Sequence, residues 1–374
     1  EVSAATALDV TTTAQGNVNV NGILETAGTS AGALTVKATE GNVSLTKASS
    51  ATDVVNSGSS VSITATDSET DDAAKGNITI AGDVIGDTSV VISTDQGDIK
   101  LGTDGTNYSA VQAGTTLGVS TTTAGNVTVN GSLKSAAVNG STVGDVTVKA
   151  TEGKVTLNKN AATGDNVVNS GAGVSITASD SDTEGDEEDK GDIAITGNVI
   201  GATSVDISTD QGNIDVGTSS VPSAVSAGTT LGVSTTKVGN VTVYGSLTTA
   251  AVNNSTVGDV TVSAAEGKVT LNKGGEGVND VVNSGAAVSI TASDEEESGT
   301  STDYAGNITV DGNVIGATTA TLESTNGSVS LTGNLTANNG LAKIAASDSS
   351  DDGVEGVGDI TEIGRASCRE RGYG

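Results

Sequence analysis

Residues Ala113–Leu133 read AGTTLGVSTTTAGNVTVNGSL, and Ala227–Leu247 read AGTTLGVSTTKVGNVTVYGSL. The likeness runs on beyond both. GDVTVKATEGKVTLNK, VVNSGAGVSITASDSD and GDIAITGNVIGATSVDISTDQGNIDV in the earlier stretch are answered by GDVTVSAAEGKVTLNK, VVNSGAAVSITASDEEE and GNITVDGNVIGATTATLESTNGSVSL in the later one. Gly114 maps on Gly228, an offset of 114 residues. A more divergent copy fills the N-terminal third, and a partial one begins near Leu341 with LAKIAASDSSDD. The chain therefore divides into copies over 1–112, 113–226 and 227–340, with a partial fourth copy over 341–361. Repetition of this kind decides the architecture before any other signal does.

Each copy has a shorter rhythm: Gly, then Asn, Asp or Lys, then apolar, polar, apolar. Gly125-Asn126-Val127-Thr128-Val129, Gly144-Asp145-Val146-Thr147-Val148, Gly153-Lys154-Val155-Thr156-Leu157 and Gly212-Asn213-Ile214-Asp215-Val216 are examples. Companion strands often precede the unit by about nine residues, as Leu117–Ser120 precedes Gly125. Four such units share one copy, roughly 28 residues each, inside the range of solenoid repeats.

A net charge of −30 and 1% aromatic residues lean toward disorder. Strict alternation of Val, Ile and Thr, punctuated by Gly and Asn, outweighs them and reads as short half-buried strands. An open sheet of so many strands would expose its edges. Stacking each coil on the last leaves only the two ends open. The sequence thus predicts an all-β solenoid with Val127 and Val129 inward and Thr128 outward. Corner Gly and Asn supply the tight conformations. Twelve to thirteen coils at ~4.8 Å give a rod on the order of 60 Å.

Several classes are disfavoured. No run of 18 apolar residues suggests a transmembrane helix, and no signal peptide is visible. From the absence of Met the expectation is an internal piece of a longer chain. Acidity disfavours nucleic acid as a partner. Residues 362–374 break every habit of the chain, holding three arginines and the only cysteine, Cys368. This tail resembles a translated sequencing adaptor, which would make it an artefact rather than part of the repeat array.

GNVTVNGSL, GDVTVKATEGKVTLNK and TSVDISTDQGNIDV resemble coils of filamentous-haemagglutinin-type exoproteins and related giant repetitive bacterial adhesins. The resemblance spans nearly all of residues 1–361. It implies a right-handed parallel β-helix of about three strands per coil, and a secreted or surface-displayed bacterial protein. The secretion domain of that family is not visible here.

The candidate chemistry lies in an acidic insertion that follows the VSIT strand of each copy. Asp67, Glu69 and Asp71, then Asp180, Asp182, Glu184 and Asp186, then Asp294 and Glu296, are candidate Ca²⁺ ligands by donor type. Neither calcium pattern fits, because Gly191 stands where an EF-hand needs its bidentate Glu and the G-G-x-G-x-D motif is missing. The plainer reading is a solvated, aggregation-resisting loop. No other cofactor is indicated.

Catalysis is not expected. The chain lacks His, Trp and Phe, and carboxylates in Ser-rich loops lack the dry cleft that raises a pKa. Ice binding through outward Thr128, Thr147 and Thr156 is weakened by the interrupting Asn130, Lys149 and Asn158, and β-propensity accounts for these threonines. The sequons at Asn126, Asn240 and Asn307 are read as lying inside strands. Asn56, Asn169 and Asn283 of the recurring VVNSG segments are read as corner contacts. The sequence thus points to a non-catalytic adhesive stalk that meets host-cell, matrix or cell-surface ligands by many weak contacts, with no membrane insertion in this segment. The alternative is a calcium-binding surface-layer or binding module.

Overall fold

The computed structural model describes residues 1–26, 32–48, 52–67, 76–103, 108–135, 143–160, 164–181, 191–249, 258–275, 278–294, 306–347, 359–363 and 366–368. It contains strands and turns, and no helix among the described residues. The chain forms two compact units, residues 1–191 and 192–374. In each, every described pairing of strands is parallel. Three strands make one coil, each on its own face, so each unit is a parallel β-helix.

In the first unit, face 1 holds Leu8–Gln15, Leu34–Thr39, Val61–Ala65, Val90–Gln96, Leu117–Ala124, Val146–Ala150 and Val174–Ala178, paired in sequence order. Face 2 follows in each coil, as Val18–Asn21, Val43–Thr46 and Ile78–Ala81. Face 3 completes it, as Leu24–Thr26, Asp53–Ser57 and Asp83–Gly86. The second unit repeats the plan. Its face 1 holds Val205–Thr209, Leu231–Val238, Val260–Glu266, Val288–Ser293, Ala320–Thr325 and Ala342–Ser347. Copy 227–340 contributes four of these strands, from Leu231, Val260, Val288 and Ala320, so one copy is four coils. The backbones of Ile360–Ile363 and Ala366–Cys368 also pair in register, with Val329–Thr332 and Leu335–Ala337.

Alternation explains the interior. On face 2 of the first unit Val18, Val43, Ile78, Ile99, Val127 and Val155 form one column, each at most 5% exposed. Small branched side chains suit a space this narrow, because identical shapes at one strand spacing pack without gaps. Thr128 and Thr156 face outward side by side on face 2, whereas Thr147 stands on face 1, so the three do not share one surface.

Buried hydroxyls close the C-terminal ends of the face 3 strands. Ser57 bonds Thr26 at 3.0 Å, Ser170 bonds Ser135 at 3.0 Å, and Ser284 receives a bond from Thr249 at 3.2 Å. These are the serines of VVNSG. The corner contact expected of Asn56, Asn169 and Asn283 is made instead by the next residue, because period two turns the asparagines out along face 3 and the serines in.

The coils differ in where they carry extra residues. In the third copy the connections through 250–257, 276–277 and 295–305 fall at the corner from face 3 to face 1, the corner from face 2 to face 3, and the corner from face 1 to face 2. In each of the three full copies the strand before the acidic text is on face 1 and the strand after it on face 2.

Candidate functional site

The corner between faces 1 and 2 is built from the Gly-Asn text. Gly125 and Gly239 take φ of +137° and +150°, which turns the chain. The residue after the glycine then lies at the corner and reaches the coil before. The backbone N–H of Asn42 donates to Asn17 Oδ1 at 2.8 Å, Asn77 N–H to Asn42 Oδ1 at 2.9 Å, and Asp98 N–H to Asn77 Oδ1 at 2.7 Å. Asn126 N–H continues to Asp98 Oδ1 at 2.8 Å, and Lys154 N–H to Asn126 Oδ1 at 2.9 Å. The second unit has the same ladder, with Asn213 N–H on Asp192 Oδ1, Asn240 N–H on Asn213 Oδ1 and Lys268 N–H on Asn240 Oδ1 at 2.6, 3.0 and 2.8 Å.

This ladder corrects the reading of the sequons. Asn126, Asn240 and Asn307 do not lie inside strands; each stands at the corner one residue before its strand begins. The carboxamide of Asn240 is used at both ends, since its Nδ2 donates to Asn213 Oδ1 at 3.1 Å while its Oδ1 accepts from Lys268.

Three of the candidate calcium ligands are described, and all three follow face 1 strands into this corner. Asp67 is 5% exposed, and its N–H donates to Asp95 Oδ1 at 2.8 Å. Asp180 is 8% exposed, and the N–H of the neighbouring Ser181 reaches both carboxylate oxygens of Glu152, at 3.1 and 3.0 Å. Asp294 donates its N–H to Thr325 O at 3.2 Å, while its own carbonyl accepts from Asn326 Nδ2 at 2.7 Å. Glu69, Asp71, Asp182, Glu184, Asp186 and Glu296 lie outside the described residues. Among the described residues no three Asp, Glu, Cys or His side chains are placed to hold one metal ion.

The carboxyls with a displaced pKa stand elsewhere. Asp83, at the corner between faces 2 and 3, is pushed up by burial, with a further push from Asp53; the N–H of Ala110 and the charge of Lys47 oppose it. Asp206 and Asp215, on sheet faces, are raised by desolvation against their neighbours and lowered by Ser208 and Thr242 respectively; both stay exposed, which weakens the effect. The sequence carried a signal for Asp83: GDVIG in the first copy stands where the others have GNVIG.

The fold is a parallel β-helix whose corners are cross-linked by carboxamides and carboxylates. No known protein family, curated protein or solved structure matches the chain.

Proposed function

We propose that the chain is a non-catalytic structural and adhesive segment, a stalk that carries recurring surfaces to host-cell, matrix or cell-surface ligands. The observation that supports this reading most is the repetition of one outward surface on a stiffened frame. Each four-coil copy offers nearly the same outward strand residues, and the Asn/Asp ladders resist shear between coils. Copies of one weak site gain through effective concentration, where a single tight site would not need them. A secreted or surface-displayed bacterial setting fits this role.

The test is retention of mammalian cells or matrix proteins on beads bearing the full chain, compared with beads bearing equal mass of a single four-coil copy. Retention that rises much faster than copy number supports the reading. Equal retention per copy, or none on any surface, overturns it. The second reading, a calcium-binding module, is favoured only by the shared corner of Asp67, Asp180 and Asp294. Melting in EDTA and in millimolar Ca²⁺ separates the two: a large calcium-dependent rise in Tm supports the module, and unchanged melting the passive acidic loop.

A further inference from the structure

The corner between faces 2 and 3 is built the same way in the first and third copies, with one exchange of atoms. In the third copy Asp280 pairs with Asn313, with a register shift just after. Asn313 N–H donates to Asn279 O, and its Oδ1 accepts the N–H of Asn334 at 3.1 Å. Its Nδ2 donates to Asp280 Oδ1 at 2.9 Å, joining two coils through their side chains. In the first copy Asp53 pairs with Asp83 with the same register shift. Asp83 N–H donates to Thr52 O at 2.9 Å, and its Oδ1 accepts the N–H of Ala110 at 2.8 Å. Every backbone bond is kept. In Asp83 a carboxylate oxygen replaces the amide Nδ2 of Asn313, so the register partner of Asp53 carries an acceptor where the register partner of Asp280 carries a donor.

We propose that Asp53 and Asp83 form a proton-operated latch between two coils: with a proton from solvent on Asp83, its O–H donates to Asp53 as Asn313 donates to Asp280. Ionised, the two carboxylates repel and the latch is open. Burial favours the neutral form of Asp83, and the like charge of Asp53 adds to that preference. Asp83 is half-buried and its affinity for protons is raised accordingly.

The surrounding charges are few. Lys47, at the end of the preceding face 2 strand, faces the pair and favours ionisation. The hydroxyl of Thr52 donates to Asp53 Oδ1 at 2.8 Å. On the following coil, Ser109–Ala113 brings no charged side chain; Asp104 lies outside the described residues. In the third copy the equivalent lysine, Lys273, is drawn away to Asp311 at 3.2 Å, where the first copy has Ala81. Since the folded-state affinity of Asp83 for protons exceeds that of the unfolded chain, stability from the latch is present at low pH and is lost as pH rises through the folded pKa.

The test is hydrogen exchange of the full chain, read over Asp53–Ser57 and Asp83–Gly86, for the parent, D83N and N313D. Comparison at equal pH cancels the intrinsic pH dependence of exchange. At pH 7.5, D83N is expected to slow exchange there about fivefold, which corresponds to about 1 kcal/mol, the net worth of one hydrogen bond. At pH 5, above the sequence pI of about 4.1, the gap between parent and D83N narrows. N313D installs the same pH response over Asp280–Ser284. Asparagine occupies this position in the other copies, so D83N keeps every backbone bond. A gap that is absent, reversed or independent of pH overturns the latch. So does slowing of the parent, and not D83N, by Ca²⁺ at fixed pH, which would assign the pair to a cation instead.

Discussion

Asn240 shows what a single residue does here. Its side chain accepts from the coil after and donates to the coil before. Asn240→Ala removes both bonds and leaves the N–H of Lys268 without that acceptor, so a loss of about 1–2 kcal/mol is expected. Asn240→Asp keeps the acceptor and should fall between the two; urea titration of the three chains checks the order. The ladder of Asn213 and Asn240 reaches the backbone N–H of Lys268, whose ammonium has no lone pair to carry it on. Lys268→Asn offers the next corner residue, Asn307, an acceptor and is expected to raise stability by about 1 kcal/mol. The sequence made these positions legible as turn residues, since Asn and Asp after Gly are ordinary turn chemistry. It did not show that they bond across coils, because partners 21 to 35 residues apart are set by coil length and not by local pattern. The same gap hid the role of Asp83: its neighbour Asp53 is 30 residues away.

At the scale of the strand and its turn, the period-two text placed nearly every inward residue. Val127, Val129, Val155 and Leu157 are all fully buried. The three faces were not separable by that text, because Gly144-Asp145-Val146 opens a face 1 strand while Gly153-Lys154-Val155 opens a face 2 strand. Two glycines test the account of the corners. A β-carbon on Gly239, at φ +150°, would overlap the carbonyl oxygen of Gly212 in the preceding coil. Gly239→Ala is therefore expected to cost at least 1–3 kcal/mol, the usual range for backbone strain, with the overlap adding to it. Gly118 lies in the strand Leu117–Ala124, at an outward position with nothing within 4 Å of an added β-carbon. Gly118→Ala should be neutral or stabilise by about 0.5–1 kcal/mol. Thermal melts of the two variants side by side decide this. Core truncation gives the reference: Ile63→Ala, at a fully buried site, is expected to cost about 2–5 kcal/mol.

At the scale of the molecule, charge dominates. A net charge of −30 keeps the chain soluble and works against compaction. Added monovalent salt screens that repulsion, so Tm should climb between 10 mM and 500 mM NaCl, and the chain should precipitate near its pI of about 4.1. A Tm that is flat across this salt range would mean that the carboxylates are too far apart or already compensated. Fold class was the most legible property, since 114-residue copies with an internal four-part rhythm leave few alternatives to stacked coils. The candidate calcium site was the least legible: donor type alone does not specify geometry, and only Asp67, Asp180 and Asp294 of that set are placed.

The direction of the Asn/Asp ladder gives the array a head and a tail. At each of the three corners a ladder bond runs from an N–H of the later coil to a side-chain oxygen of the earlier one, as in Asn126 to Asp98, Gly173 to Asp145 and Ala110 to Asp83; Asp67 to Asp95, outside the Gly-Asn text, runs the other way. At its corners one end of such a stack therefore presents ladder N–H donors and the other ladder oxygens, while the strand backbones offer both at either end. Further coils can join head to tail with every bond made, whereas two heads or two tails would set like against like. Lengthening by duplication inherits this polarity without any new contact having to be invented.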